Sequence, residues 1–269
     1  MKKNYFLAII TVLFCLALQA QTYQTWRSDS GTNDNSWQNA NNWWNFPDAS
    51  HIVFGQQEWD NNHEPAQVNS ADISTWRFLF KAGADLAHTF TGSQISFSDY
   101  SGGDPQIIND SSGTHIINNN LVGDSDVADP FGLFINSTGG LTFGGTINNQ
   151  GWLDISGSTG CATTITFNGV ISGAGGVTKE NANISLIYNT NNTYSGTTNL
   201  NNGTLTLEGS LANSDVIVGT NGTLIIAKNA TLKSLTVAAG GTVTVNSGKS
   251  LIVTGASSGN ITYNRNIGT

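Results

Sequence analysis

Short strand-like segments recur at a fixed interval along the C-terminal part of this chain. Gly-Thr-Leu-Thr-Leu at 203–207 returns as Gly-Thr-Leu-Ile-Ile at 222–226 and as Gly-Thr-Val-Thr-Val at 241–245, with the same step of 19 each time. Within each copy the apolar residues alternate with threonine or isoleucine, which is typical of a strand with one face turned inward. The step predicts two buried columns, one of Leu186, Leu205, Leu224 and Val243 and the other of Tyr188, Leu207, Ile226 and Val245.

A second series of strands lies between these segments. The apolar pairs at 216/218 and 235/237 follow the same step of 19, and Leu251 and Val253 are predicted to continue the series after a shortened step of 16. Glycine or Asn-Gly punctuates the joins, where the chain must turn sharply. Upstream the spacing is looser, and the predicted strands are 116–117, 133–135, 141–143, 152–155, 165–167 and 170–171.

A repeat of this length defines one coil of a solenoid rather than a folded unit of its own. At about 3.3 Å per residue, the repeat traces a closed loop of at most ~60 Å. Successive coils then stack about 4.8 Å apart, with like residues over like. A propeller blade needs about twice this length, and the sequence does not follow the Leu/Asn consensus of leucine-rich repeats. The predicted fold class is all-β, a parallel β-helix with an aromatic-rich N-terminal capping region.

The segment at 1–20 predicts a secretory signal peptide. Lys2 and Lys3 precede an apolar run over 5–18, and small residues follow before the polar run that begins at Gln21. This order is typical of a cleaved leader, and the run is shorter than the ~20 residues of a membrane span. A signal anchor is the alternative interpretation. The predicted organisation is a signal peptide at 1–20, a capping region with the first coils at 21–100 and a β-helix at 101–269, with no transmembrane segment in the mature chain.

Composition and charge argue against several classes of protein. Charged residues are only 10% of the chain, while glycine, asparagine and threonine favour short strands and turns over helices. Loss of Lys2 and Lys3 with the leader takes the formal charge from −8 to −10, which disfavours nucleic acid and anionic lipid as partners. Cys15 leaves with the leader, so Cys161 alone can form neither an internal disulfide nor a cysteine-based metal site. No cofactor is expected.

Three pieces in the middle of the chain carry a resemblance to a known repeat. Gly-Ala-Gly-Gly-Val-Thr-Lys at 173–179 is followed by Asn-Thr-Tyr-Ser-Gly-Thr-Thr at 192–198 and then by Gly-Thr-Leu at 203–205. This order resembles the autotransporter-associated β-strand repeat, and the close similarity covers about 169–209. The residues assigned to the repeat, with a structural role, are Gly173, Gly175, Gly176, Lys179, Asn192, Thr193, Tyr194, Gly196, Thr198, Gly203, Leu205 and Leu207.

The N-terminal part is also similar to proteins that carry this repeat, through Trp37, Asn42-Trp43, Pro47 and Phe54. The resemblance implies a right-handed parallel β-helix that is secreted or lies at the outer-membrane-associated surface of a Gram-negative bacterium, as a passenger, an adhesin or a surface-layer component. Outward rows of threonine and asparagine would form hydrogen-bonding faces that suit extracellular glycans or surface matrix, which are the expected partners. The family continues into an outer-membrane barrel or a sorting domain, so the resemblance also implies a partial member.

Two groups of residues are candidate binding sites, each with a structural alternative. Planar indole rings at the N-terminal end either stack on sugars or form a hydrophobic plug at the end of the solenoid, and the tryptophans concerned are Trp37, Trp43 and Trp44. One acidic loop could offer oxygen ligands for calcium. The alternative is a solvated turn, because the glycine and the distal glutamate of a calcium loop are missing. Its carboxylates are Asp124, Asp126 and Asp129.

Catalytic interpretations have weaker support in the sequence. Between residues 186 and 253 the only acids are Glu208 and Asp215, which makes a glycosidase pair conceivable but unsupported. The histidines show no metal-ligand spacing, Lys179 is interpreted as a turn lysine, and Cys161 as a buried or turn thiol. The predicted function is a non-enzymatic, extracellular structural or adhesive β-helix. The alternative is a carbohydrate-binding or polysaccharide-degrading β-helix.

Overall fold

Every regular element among the residues that the computed structural model describes is a β-strand. The structure describes residues 23–26, 43–44, 51–54, 66–69, 71–82, 87–98, 104–124 and 130–264, so the predicted signal peptide at 1–20 lies outside the described residues. The strands are β1 (Tyr23–Trp26), β2 (Trp43–Trp44), β3 (His51–Phe54), β4 (Ala66–Asn69), β5 (Ile73–Thr75), β6 (Arg77–Phe80), β7 (Thr89–Gly92), β8 (Ile95–Phe97), β9 (Gln106–Asn109), β10 (His115–Ile117), β11 (Leu121–Val122), β12 (Phe131–Ile135), β13 (Leu141–Phe143), β14 (Ile147–Asn148), β15 (Trp152–Gly157), β16 (Thr163–Phe167), β17 (Ile171–Ser172), β18 (Gly176–Lys179), β19 (Ile184–Tyr188), β20 (Thr198–Leu207), β21 (Leu211–Ile226), β22 (Ala230–Val237), β23 (Thr242–Val245), β24 (Leu251–Val253), β25 (Ser257–Ser258) and β26 (Thr262–Tyr263).

The strands stack in parallel into a β-solenoid of about eight turns, which confirms the predicted fold class. A coil contributes one strand to each of three stacks. The first stack runs through β3, β6, β9, β12, β15 and β18, and the second through β4, β7, β10, β13, β16 and β19. The third is a separate sheet of β5, β8, β11, β14 and β17. From β20 onward, longer strands pass from one stack to the next.

The two predicted apolar columns are confirmed. Leu186 pairs with Leu205, Leu205 with Leu224 and Leu224 with Val243. The second column runs in register beside the first, from Tyr188 to Val245. Every member of both columns is at most 1% exposed. The step of 19 therefore corresponds to one full coil, with like side chains stacked in a single hydrophobic core.

Coil length explains the looser spacing upstream. Ladder partners in adjacent coils are 26 residues apart at Asn136 and Asp110, 21 apart at Asn189 and Asn168, and 19 apart at Asn221 and Asn202. The strands remain in register while the turns lengthen, because the inward columns must stay aligned for the core to pack. A search for a constant step therefore finds only the C-terminal coils.

One predicted register is wrong. Leu251 and Val253 do not continue the series of Val216 and Leu235, because β24 pairs with Ala230–Leu232 in the first half of β22. The series continues instead through Ser257, which pairs with Leu235. The reason is that each coil has a third inward column, in which Leu211 pairs with Leu232. Alternation alone does not tell which face of a three-sided coil a strand occupies.

Aromatic packing distinguishes the N-terminal end of the core. The rings of Phe54, Phe78, Phe80 and Phe90 pack with centroids 4.9–5.7 Å apart. Beyond them β1 pairs in parallel with β3, and β2 pairs with β1 in the antiparallel sense. This antiparallel pair departs from the parallel repeat at the end where the sequence predicts a capping region.

Candidate binding face

The repeat residues in the core hold the coils together. Leu205 and Leu207 belong to the buried columns. Tyr194 is 1% exposed, and its Oη lies 2.6 Å from Thr198 Oγ1, which in turn lies 2.8 Å from Ser214 Oγ. Burial raises the pKa of Tyr194 to about 12. The cluster is a hydrogen-bond network inside the solenoid.

The remaining repeat residues lie in turns, apart from Gly176 and Lys179 in β18 and Gly203 in β20. Asn192 Oδ1 accepts a 2.7 Å hydrogen bond from the Ile171 amide, and the Thr193 amide donates to the Ile171 carbonyl at 2.9 Å. Close approach between coils explains most of the glycines, since a Cβ on any of them would overlap neighbouring atoms of the adjacent coil. Two have positive φ angles, +104° and +74°. The set is Gly173, Gly175, Gly176, Gly196 and Gly203, of which the first and last have the positive φ.

The prediction that Lys179 is a turn lysine is wrong. Lys179 is the last residue of β18, it is 1% exposed, and it stacks in an inward column between Ile155 and Leu200. Its Nζ donates a hydrogen bond to the Asn181 carbonyl. Burial lowers the pKa of Lys179 to about 8, because the charged amine is removed from water. The error arose because its neighbours suggested a turn, whereas its position in the strand alternation is an inward one.

The other polar residues singled out from the sequence lie apart from one another. Cys161 is buried, as predicted, and Glu208 and Asp215 form separate ion pairs with Lys228 at 2.8 Å and Lys233 at 2.7 Å. Of the predicted calcium loop only Asp124 lies within the described residues, while Asp126 and Asp129 lie outside them. In the part of the chain that the structure describes, no three His, Cys, Asp or Glu side chains are grouped as a metal site.

A serine and a histidine meet inside the N-terminal coils, which sequence spacing did not reveal. Ser111 Oγ lies 2.7 Å from His115 Nε2 and donates to Asn109 Oδ1 at 2.7 Å. The His88 amide donates to His115 Nδ1 at 3.3 Å, so Nε2 carries the proton of the neutral ring. Burial, with the neighbouring His88, lowers the pKa of His115 to about 3. The hydroxyl therefore donates away from the imidazole, opposite to a serine nucleophile, and both residues are 0% exposed.

Hydrogen bonds between outward side chains join neighbouring coils at several separate places. Asn189 Nδ2 donates to Asn168 Oδ1 at 2.6 Å, Asn221 Nδ2 to Asn202 Oδ1 at 3.1 Å, and Asn201 Nδ2 to the Glu180 carboxylate at 2.6 Å. Each bond joins one coil to the next, so the outward amides are held at the spacing of the coils. The outward surface at these places is rich in hydrogen-bonding groups.

One part of the outward surface is aromatic rather than polar. Trp152 and Phe134 are half-buried on the outward side of β15 and β12. A Cβ on Gly176 would overlap the Trp152 ring, and a Cβ on Gly132 would overlap the Phe134 ring. Each ring thus lies directly over a glycine, with no side chain beneath it. We call this surface, defined by Gly132, Phe134, Trp152, Asp154, Gly176 and Thr178, the aromatic face.

Polar groups hold the Trp152 ring in this position. Its Nε1 donates to Thr178 Oγ1 at 2.7 Å, and Asp154 pairs in register with Thr178 on the same side of the sheet. The pKa of Asp154 is raised, mainly by burial and then by the negative charge of Glu180. Hydrogen bonding from Thr178 and Trp152 opposes this shift but does not cancel it. The Asp154 Oδ1 atom is buried and has no hydrogen-bond partner. The face therefore combines pre-oriented rings with a partly desolvated carboxyl.

Sequence reasoning placed the sugar-stacking rings elsewhere. Trp37 lies outside the described residues, and for Trp43 and Trp44 the structure describes the strand β2 but not the side chains. Trp152 was recognised only as the start of a strand, and Asp154 was not singled out. The signal available was the alternation in β15, where buried Leu153 and Ile155 fix Trp152 and Asp154 on the outward side.

Comparison of the chain with protein-family models, curated proteins and solved structures finds no match in any of the three. Among the described residues, none belongs to a helix with the length and hydropathy needed to cross a membrane.

Proposed function

We propose that the protein is a non-enzymatic, extracellular β-solenoid that acts as a structural or adhesive surface component. The observation that carries the proposal is the set of outward asparagine side chains that are hydrogen-bonded from one coil to the next, which presents polar groups on several coils. Hydroxyl-rich partners such as extracellular glycans and surface matrix are matched by such a surface. Export is supported by the leader-like segment at 1–20 and by the resemblance to the autotransporter-associated β-strand repeat.

Two features of the structure suit this role. Nearly all large apolar side chains of the coils are buried in one continuous core, so the solenoid needs no ligand for its packing. The reactive groups that the fold brings together, Ser111 with His115 and Lys179 with Asn181, are buried and bonded to one another. They act in coil packing, which leaves the outward surface for contacts with partners.

Two experiments test the proposal. The full chain is expressed in a Gram-negative host, and the cell fractions are examined by N-terminal sequencing. We expect mature protein beginning at Gln21 outside the cytoplasm, and material that retains Met1 in the cytoplasm would contradict export. Purified mature protein is then applied to immobilised matrix proteins and polysaccharides, and we expect saturable retention on at least one of these surfaces.

A second candidate function is polysaccharide degradation, which the carboxyl of Asp154 near Glu180 favours because glycosidases use paired carboxyl groups. A depolymerisation assay on pectin, alginate and neutral glucans separates the two candidates. Release of reducing or unsaturated ends by the purified protein would reverse the ranking. Loss of that release in Asp154→Asn would assign it to this carboxyl.

A further inference from the structure

We propose that the aromatic face is a binding site for neutral polysaccharide, with Trp152 and Phe134 as the rings on which sugar units stack. This inference rests on the proposed function and assigns to it a site and a class of ligand. Aromatic rings that face outward on a rigid sheet give a large contact area with the apolar faces of sugars.

The rings differ from ordinary surface residues in the way they are supported. The Trp152 ring covers Gly176, and the Phe134 ring covers Gly132. The hydrogen bond from Trp152 Nε1 to Thr178 Oγ1, 2.7 Å long, fixes the indole on the sheet. A ring held in one orientation loses little conformational entropy when a ligand stacks on it.

An apolar row extends this surface along the solenoid axis. Phe134 pairs in register with Ile108, and Ile108 pairs with Leu79, all on the outward side of the first stack. Ile108 and Phe134 are half-buried, whereas Leu79 at the far end of the row is buried, so the accessible strip consists of Ile108 and Phe134. In the C-terminal coils the outward rows are mostly threonine, serine and asparagine, so this strip is a local departure in composition. Its direction along consecutive coils, about 4.8 Å apart, suits an extended chain rather than a compact ligand.

Polar groups beside the rings define the class of sugar. The neighbouring outward row runs in register through Arg77, Gln106, Gly132, Asp154 and Thr178. The half-buried side chains of Gln106 and Asp154 offer an amide and a carboxyl to the hydroxyls of a glycan, which both donate and accept. Thr178 is 8% exposed and serves to hold the Trp152 ring.

The charge of the face distinguishes neutral from acidic polymers. Asp104 and Glu180 both act electrostatically on Asp154, whereas Arg77, the cation of this row, is three coils away from Asp154 along the register. Uronic-acid polymers would place further carboxylates against these acids, which is unfavourable. The geometry therefore points to an uncharged chain.

A purely structural role for Trp152, as a lid on Gly176, is the competing explanation. The test must separate binding from stability, so it uses variants on and off the face. Trp152→Ala and Phe134→Ala remove one ring each, while Trp152→Phe keeps a ring and loses the Nε1 donor. The matched control is Ile217→Ala, because Ile217 is an outward apolar residue of the same row, 40% exposed, three coils from Asp154.

The assay is affinity electrophoresis of the mature protein in gels that contain laminarin, galactomannan, xyloglucan, polygalacturonate or alginate. We expect retardation by at least one neutral polymer and little by the acidic ones. Trp152→Ala should weaken that binding about tenfold, Trp152→Phe by no more than about threefold, and the control should behave as the parent. Urea midpoints are measured for each variant, so that weakened binding counts only in a folded protein.

Asp154→Asn adds a second readout, because it removes the charge and keeps a polar side chain of the same size. It should weaken neutral binding less than Trp152→Ala does, and it should increase retardation by polygalacturonate. If Trp152→Ala fails to fold, Phe134→Ala carries the test and should weaken binding to the neutral polymer about tenfold; equal retardation of folded Phe134→Ala and the parent would then overturn the inference.

Three outcomes would overturn the inference: equal retardation of folded Trp152→Ala and the parent, preference of the parent for acidic polymers, or no retardation of the parent by any neutral polymer. In the last case, retention on matrix surfaces would leave the proposed function standing. Failure on both matrix and polysaccharides would remove both proposals.

Discussion

The buried amine of Lys179 gives a quantitative test of the packing. Folding lowers the pKa of Lys179 from 10.5 to about 8 through burial, so below pH 8 the folded state carries a charged amine inside an apolar column. A shift of this size corresponds to about 3 kcal/mol of destabilisation at pH 7, at ~1.4 kcal/mol per pKa unit. Lys179→Met removes this penalty and forfeits the hydrogen bond from the charged amine to the Asn181 carbonyl, which is worth about 2 kcal/mol. We therefore expect Lys179→Met to stabilise the protein by about 1 kcal/mol at pH 7.

The same reasoning fixes the sign of the pH dependence. Between pH 8 and 10.5 the unfolded state binds more protons than the folded state, so the free energy of unfolding of the parent rises with pH in this window. Lys179→Met should lack this rise. Urea unfolding followed by circular dichroism at several pH values measures both effects, and Lys228→Met is the matched control, since Lys228 is an exposed ion-paired lysine. A destabilised Lys179→Met at pH 7, with a pH profile parallel to the parent, would refute the reasoning.

Three further substitutions test separate parts of the structure. Burial lowers the pKa of His115 from 6.5 to about 3, so the free energy of unfolding of the parent should fall by about 1.4 kcal/mol per pH unit below pH 6.5. In urea unfolding at several pH values, His115→Gln should lose less stability on acidification than the parent does. Equal losses in the two proteins would contradict the low pKa of His115. Gly176→Ala places a Cβ into the Trp152 ring, whereas a Cβ on Gly160 meets nothing within 4 Å. Gly176→Ala should lower the free energy of unfolding by about 1–3 kcal/mol and shift the tryptophan emission, whereas Gly160→Ala should change neither. Equal urea midpoints for the two variants would be inconsistent with the position of the Trp152 ring. Tyr194→Phe removes a hydroxyl bonded to Thr198 and should cost about 1–2 kcal/mol, compared with no measurable change for Tyr263→Phe, a residue 54% exposed.

The sequence allowed a correct prediction wherever coils have equal length. Leu205, Leu224 and Val243 could be aligned because the turns between them do not vary, so spacing along the chain equals position in the stack. Leu251 was misplaced because β22 contributes to two inward columns, and the pattern of alternation is the same in both.

The candidate site was less accessible to sequence reasoning, for physical reasons. Phe134 and Trp152 lie on the same outward side of paired strands β12 and β15, where the register places Phe134 opposite Ser156, four positions along the strand from Trp152. Their coils carry turns of unequal length that hide this relation in the sequence. Ser111 meets His115 through a turn that Asn109 stabilises by accepting the Ser111 amide hydrogen bond at 3.0 Å. In both cases the relative position depends on turn geometry rather than on periodicity.

Polar interiors also escaped prediction from composition. Asn149 Nδ2 donates to the Gly176 carbonyl at 2.7 Å, and Asn181 Nδ2 donates to the Gly157 carbonyl at 2.7 Å. Buried asparagines thus replace strand pairing where the chain turns between stacks, since a buried carbonyl needs a donor. The abundance of asparagine, which indicated turns, therefore has a second origin in bonds between successive coils.

Disulfide formation between successive coils tests the central claim most directly, namely that side chains one repeat step apart lie one over the other. Thr206 and Ile225 pair in register and point outward, so their Cα atoms are about 4.8 Å apart, within the range for a disulfide. Thr206→Cys with Ile225→Cys should oxidise to an intramolecular bond, identified by mass spectrometry of the linked peptides. Thr206→Cys with Thr223→Cys, displaced along the strand and about 8 Å apart, should not. Efficient linkage in the displaced pair, or none in the aligned pair, would contradict the stacked-coil architecture.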